Sequence, residues 1–331
     1  MELDAIMGKI RDGLTGDTQR DIRYLEKCAE MYRNHPLHLE IARACGRMIT
    51  QMLPEDVQKE TERLSQQAVE EMEGKVEQAN YLQYQKKYQE ALEMIEPVVK
   101  DVDETSFLKD DSVSEYHTFR EPLQFLLYDF LYGTEKKTRC CVLPYDKVYL
   151  SYGSLLIDCH RVQEAQQALK KAVQWNPLSA EIYFEYVETY KMLGDLEMFR
   201  RETLKAFSWL YTPEGMARAY RNMGYYFVEK GAYRTAADCY YLSMHYENSK
   251  QAQSELFYIF KTAGVKFEAP DCTRLKECAR KNNLPLGYNQ EVMAILYAAV
   301  KHFQEEKDEV SEKYYKEYLN RMLEEQVQWM E

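Results

Sequence analysis

An all-α fold of stacked helical hairpins is what this sequence predicts, and three observations predict it. One pattern, an aromatic, then a small residue or Val four on, then an Ala or aromatic twelve further with more apolar positions after it, comes round three times between residues 146 and 250. The tyrosines that open the three passes stand at 149, 183 and 220, steps of 34 and 37 residues. Helix-forming residues abound, while the 331-residue chain has 9 prolines and 13 glycines, few breakers for its length. Tyrosine is abundant at 28, which suits many large-to-small contacts between helices.

The first pass is Tyr149, Gly153, Ala165, Leu169 and Ala172, closed by Pro177. The second is Tyr183, Val187, Phe199, Thr203 and Ala206, and the third Tyr220, Gly224, Ala236, Tyr240 and Ser243. The loop Tyr211-Thr212-Pro213-Glu214-Gly215 is expected to absorb the three extra residues of the longer step. Gly153 and Ala165 are small where two helices must approach closely, and Pro177 cannot continue a helix. This resembles the tetratricopeptide repeat family, whose unit is a helix–turn–helix of 34 residues. The resemblance implies an α-α superhelix, a right-handed solenoid in which the first helix of each unit lines the concave side.

Residues 1–104 read as degenerate repeats. A short amphipathic helix over 2–12 is broken by Gly13 and Gly16, and Asp17 is placed to N-cap a helix running to about Asn34. Another helix spans Leu37–Leu53. Pro54 opens a further one that can run through Gly74, since glycine inside a helix costs only roughly 1 kcal/mol. A clearer unit at 72–104 carries Ala79, Leu82, Ala91, Ile95 and Val98, with Lys86-Lys87 near its turn. Residues 105–145 leave the repeat. Apolar residues at 116, 119, 123, 126, 127, 130 and 131 predict a broad helical stripe, with Pro122 kinking it or starting it. An irregular loop follows, with a basic patch at Lys136, Lys137 and Arg139. The clear repeats occupy 146–250. From 251 to 331 a degenerate repeat and capping helices are expected, the last polar outside and apolar inside, as a solenoid end requires.

A net charge of −12 with no large basic cluster argues against nucleic acid and anionic membrane surfaces. No apolar run approaches 18 residues, and no leader is visible, so a cytoplasmic protein is expected. The eight cysteines show no CxxC pairing and mostly fall on apolar helical positions, so buried free thiols are expected. There is no glycine-rich phosphate loop, HExxH or GxSxG. His35 and His38 straddle Pro36, an ordinary turn rather than a metal site. No catalytic residue, metal or cofactor is expected.

What remains is the groove that the resemblance implies. It would take Asn80 and Tyr84 from the 72–104 unit, Ser151 and Ser154 from the first strong unit, Glu181, Phe184, Glu185 and Glu188 from the second, and Arg218, Arg221, Asn222 and Tyr225 from the third. Glu181, Glu185 and Glu188 are four and three apart and share one helix face. With Phe184 beside them they suit a partner segment carrying Lys or Arg near an apolar anchor. The expected function is a non-enzymatic scaffold that binds a protein or peptide. The alternative is a regulator whose superhelix closes on a small peptide, although residues 1–60 show no basic recognition helix. An enzyme built on inter-helix loops would need an acidic pair beside a histidine, and no loop has one.

Overall fold

The computed structural model describes residues 2–105, 109–133, 135–264, 266 and 268–330. Among them the fold is all-α apart from one pair of short strands. The chain divides into two compact units. One comprises residues 1–119, 133–159 and 174–176, the other 120–132, 160–173 and 177–331.

In the first unit α1 (Glu2–Asp12), α2 (Thr18–Met31) and α3 (His38–Met52) enclose Met7, Ile10, Leu25, Cys28, Ile41 and Cys45. Asp17 caps α2 by accepting a 2.8 Å hydrogen bond from the Arg20 amide. His35 and His38 lie in the turn before α3, where the His35 ring accepts from the Leu37 amide at 3.1 Å. Helix α4 (Glu55–Tyr84) runs through Gly74 without a break, and α5 (Tyr88–Glu104) returns along it. The turn between them places Lys86 at φ 61°. Ala79, Ala91, Ile95 and Val98 are buried where the two helices meet, and Leu82 is half-buried.

Residues 105–145 depart from the expected helix and irregular loop. Strand β1 (Ser114–His117), helix α6 (Pro122–Tyr132) and strand β2 (Lys137–Cys140) follow in order. The strands pair in parallel, Ser114 opposite Lys137 and His117 opposite Cys140. Tyr116 and Phe119 therefore lie outside the helix, and Pro122 is its first residue, where a missing N–H costs nothing. The strands belong to the first unit and α6 to the second. Helix α7 (Tyr145–Asp158) packs on α4 and α5, and the Tyr149 hydroxyl donates to Asp103 at 2.6 Å.

Helix α8 (Val162–Trp175) leads into a run of hairpins in the second unit: α9 (Ala180–Met192), α10 (Leu196–Ala206), α11 (Pro213–Glu229) and α12 (Tyr233–Tyr246). Successive members from α9 onward pack on each other, and α13 (Lys250–Ala263) packs on α12. Helices α14 (Cys272–Asn282), α15 (Gln290–Glu306) and α16 (Glu309–Met330) follow. The last two form a hairpin in which the rings of Phe303 and Tyr315 stack 5.3 Å apart.

Every repeat position named from the sequence between Tyr149 and Ser243, Pro177 aside, is buried. The pairing of small with large is explicit at Gly224. A Cβ there would stand 2.7 Å from the Tyr240 ring on the neighbouring helix. The longer third step falls at a connection that spans 207–212 rather than 211–215, between the end of α10 at Ala206 and the start of α11 at Pro213. Phe207, Trp209, Leu210 and Tyr211 turn inward and are buried, Thr212 caps α11, and Pro213 is already helical.

Candidate functional site

Two cavities open on α9 and α11 of the second unit. The first holds about 420 Å³ and is walled by Arg120, Glu121 and Gln124 around the start of α6, by α9 from Ala180 to Phe184, and by the buried turn Trp209–Tyr211. The second holds about 430 Å³ and is walled by Glu185, Glu188 and Lys191 of α9, by Asn222 and Tyr225 of α11, and by Gln251 and Glu255 of α13. Arg218 and Arg221 line both. The helical period explains the division. Residues four apart on α9, Glu181 and Glu185, stack along the axis, so each faces one cavity.

The expected bare acidic face is neutralised from within. Glu181 meets Arg120 at 3.3 Å, Glu185 meets Arg218 at 2.8 Å, and Glu188 meets Lys191 at 2.6 Å. Arg221 donates to Glu247 at 2.8 Å and to the Ser243 hydroxyl at 3.4 Å. Apart from Arg221, these side chains keep between about a fifth and two thirds of their surface in water, where a pair contributes roughly 0–1 kcal/mol. Lys191 also stands 4.2 Å from the Tyr225 ring centroid, a cation–π contact.

Phe184 is not the exposed anchor the sequence suggested. It has 0% exposure, with the Arg218 guanidinium 5.6 Å from its ring centroid. Asn222 is nearly buried, 3.5 Å from the Thr203 hydroxyl. The candidates from the earlier repeats lie in the first unit and hold that unit together. Ser151 donates to Asn80, Gln83 donates to Ser154 at 3.1 Å, and Lys147 pairs with Glu73 at 2.6 Å, three ties between α4 and α7. Tyr84 projects from the end of α4, 87% exposed.

Glu121 was not singled out by the sequence. It receives hydrogen bonds from three tyrosine hydroxyls: Tyr211, Tyr314 at 3.1 Å and Tyr318 at 2.7 Å. Burial and the adjacent carboxylate push all three phenols up, Tyr318 to about 12, so they stay protonated donors. These partners lie 90 to 197 residues away in sequence. The spacing of Tyr314 and Tyr318, one turn apart on α16, was the available signal.

Of the eight free cysteines, Cys28, Cys45, Cys141, Cys239 and Cys278 are buried as expected. Cys140 is exposed, and Cys159 and Cys272 are half-buried. Among the described residues no helix is long and apolar enough to cross a membrane.

No family model matches the chain, and no curated protein matches it. Among solved structures, the crystal structure of BtubC (BKLC) from P. vanneervenii matches over 83% of this chain and 96% of its own, at 13% identity and a TM-score of 0.38. A score of 0.38 is too low to carry function from one protein to the other.

Proposed function

We propose that this chain is a non-enzymatic interaction scaffold of tetratricopeptide type, which holds a segment of a partner protein along α9 and α11. The adjoining cavities that meet at Arg218 and Arg221 support this reading most directly. Their walls come from the first helices of successive hairpins, the surface that such repeats offer to ligands. Half-exposed ion pairs line them, and such pairs exchange partners at little cost because each contributes so little at rest. An incoming segment with its own charges can therefore replace Arg218–Glu185 or Arg120–Glu181 contacts one for one. The free thiols fit a reducing, cytoplasmic setting.

The test is affinity capture from the native cell, followed by titration of the captured segment as a synthetic peptide. Calorimetry should show Arg218→Ser weakening binding several-fold with helicity unchanged. Equal affinity for mutant and wild type would remove α9 and α11 from the reading.

A further inference from the structure

We infer that the cavity at the start of α6 is a seat for one cationic side chain, a lysine or arginine of the bound segment, with Glu121 as its counter-ion. The inference rests on the scaffold reading for the source of that side chain, and on the cavity itself for the chemistry.

The charges in the cavity do not balance. Its walls carry the carboxylates Glu121, Glu181, Glu214 and Glu247 and the guanidinium groups Arg120, Arg218 and Arg221. Arg120 is paired with Glu181, Arg221 with Glu247, and Arg218 with Glu185, which lies in the other cavity. Glu121 and Glu214 are left with no cation at ion-pair distance among the described residues.

Glu214 is exposed to solvent. Glu121 is half-buried, and neutral donors satisfy it instead. An ionised carboxylate offers about four lone-pair sites on its two oxygens. Tyr211 takes one on Oε1, while Tyr314 and Tyr318 take both on Oε2. One acceptor position on Oε1 remains. Tyrosine donors stabilise the carboxylate without cancelling its charge, so a cation entering the cavity meets an unneutralised anion.

The walls suit the rest of such a side chain. Phe184, Trp209 and Tyr211 are buried in the cavity wall and give it an apolar backing behind the polar groups that line it. A volume near 420 Å³ holds a long side chain with water beside it. The segment that carries it crosses Arg218 and Arg221 into the second cavity, where Glu185 and Glu188 already pair with Arg218 and Lys191. The Lys or Arg expected opposite Glu181, Glu185 and Glu188 is thus moved to Glu121, one wall away.

The probes are the N-acetyl methylamides of arginine and lysine, with that of norleucine as the uncharged control, followed by saturation-transfer NMR and calorimetry. The arginine and lysine probes should bind and the norleucine probe should not. Glu121→Gln should weaken the cationic probes roughly tenfold, the effect of losing a hydrogen bond to a charged group in a partly buried site. Tyr318→Phe should act in the opposite sense, because it frees an acceptor position on Glu121 and so strengthens cation binding. That second variant keeps the test decisive if Glu121→Gln fails to fold. No binding of either cationic probe, equal binding to wild type and Glu121→Gln, or weaker binding to Tyr318→Phe would each overturn the seat. Those outcomes leave the scaffold reading to the Arg218→Ser titration, which does not depend on Glu121.

Discussion

Gly224→Ala is a one-carbon test of the repeat packing. The new Cβ would stand 2.7, 2.8 and 3.0 Å from three atoms of the Tyr240 ring, where relaxed carbon contacts sit at about 3.5–4.0 Å. Tyr240 is 2% exposed and cannot swing into water. The ring or the α11–α12 spacing must give by most of an ångström, an overpacking cost of about 1–3 kcal/mol. Against this, alanine is about 1 kcal/mol better than glycine inside a helix. The net expectation is a loss of about 1 kcal/mol, roughly 2–4 °C in a unit of this size. The decisive assay compares Gly224→Ala in two backgrounds by urea unfolding. With Tyr240→Leu the ring is gone, only the helix gain remains, and the same substitution should become neutral or stabilising. The two effects should differ by about 2 kcal/mol, within the range seen for touching residues. If Gly224→Ala raises stability equally in both backgrounds, the close approach of α11 and α12 is not what requires a glycine.

Gly153→Leu should damage the first unit by overpacking, since Gly153 is buried on α7, with the drop read as a lower melting temperature. Asp111→Asn should be clearly destabilising in chemical denaturation, because it removes the charge of a buried ion pair with Arg43, whose side chain is 2% exposed. Glu185→Lys should weaken partner binding several-fold in calorimetry. It should lower the melting temperature by only a degree or two, since it removes a half-exposed pair with Arg218. In native protein Cys140 should react with a thiol reagent well before Cys45, Cys141, Cys239 and Cys278, and denatured protein should yield all eight. Burial raises Cys45, Cys141 and Cys278 from 9.0 to about 11, so folding favours the protonated thiol. That contribution is complete below about pH 9 and is lost as pH climbs through about 11, and alkaline unfolding followed by circular dichroism should show the fall.

The helices were legible because each repeats a period the chain cannot disguise. A tyrosine, then Gly or Val four residues on, then Ala or Phe twelve further, mark out α7 to α12, and Pro54 and Pro122 sit at real helix boundaries. The strands were not legible. β1 is four residues long and buried at every position, so it shows no alternation, and Tyr116 fell into register with a genuine helical stripe. Site geometry was half legible. The shared face of Glu181, Glu185 and Glu188 follows from local spacing. The cations of Glu181 and Glu185 do not, since Arg120 lies 61 residues from Glu181 and Arg218 lies 33 from Glu185. Phe184 was misplaced for a related reason. Spacing puts it near the acidic face, but only the packing of α9 shows that its ring points inward.

The interlacing of the two units constrains how the chain can be divided. The backbone passes from one unit to the other after Phe119, Tyr132, Cys159, Val173 and Asn176. No single cut yields either unit whole. A truncation at 119 keeps β1 and loses β2, its hydrogen-bonded neighbour, while one at 177 discards α6 from the unit that needs it. A ribosome therefore delivers the first unit complete only after α6 and most of α8 have already been made for the second. During synthesis those segments must wait, apolar faces uncovered, for helices not yet translated. Co-translational folding of this chain is thus more exposed to chaperone capture and proteolysis than that of a repeat array read straight from one end to the other.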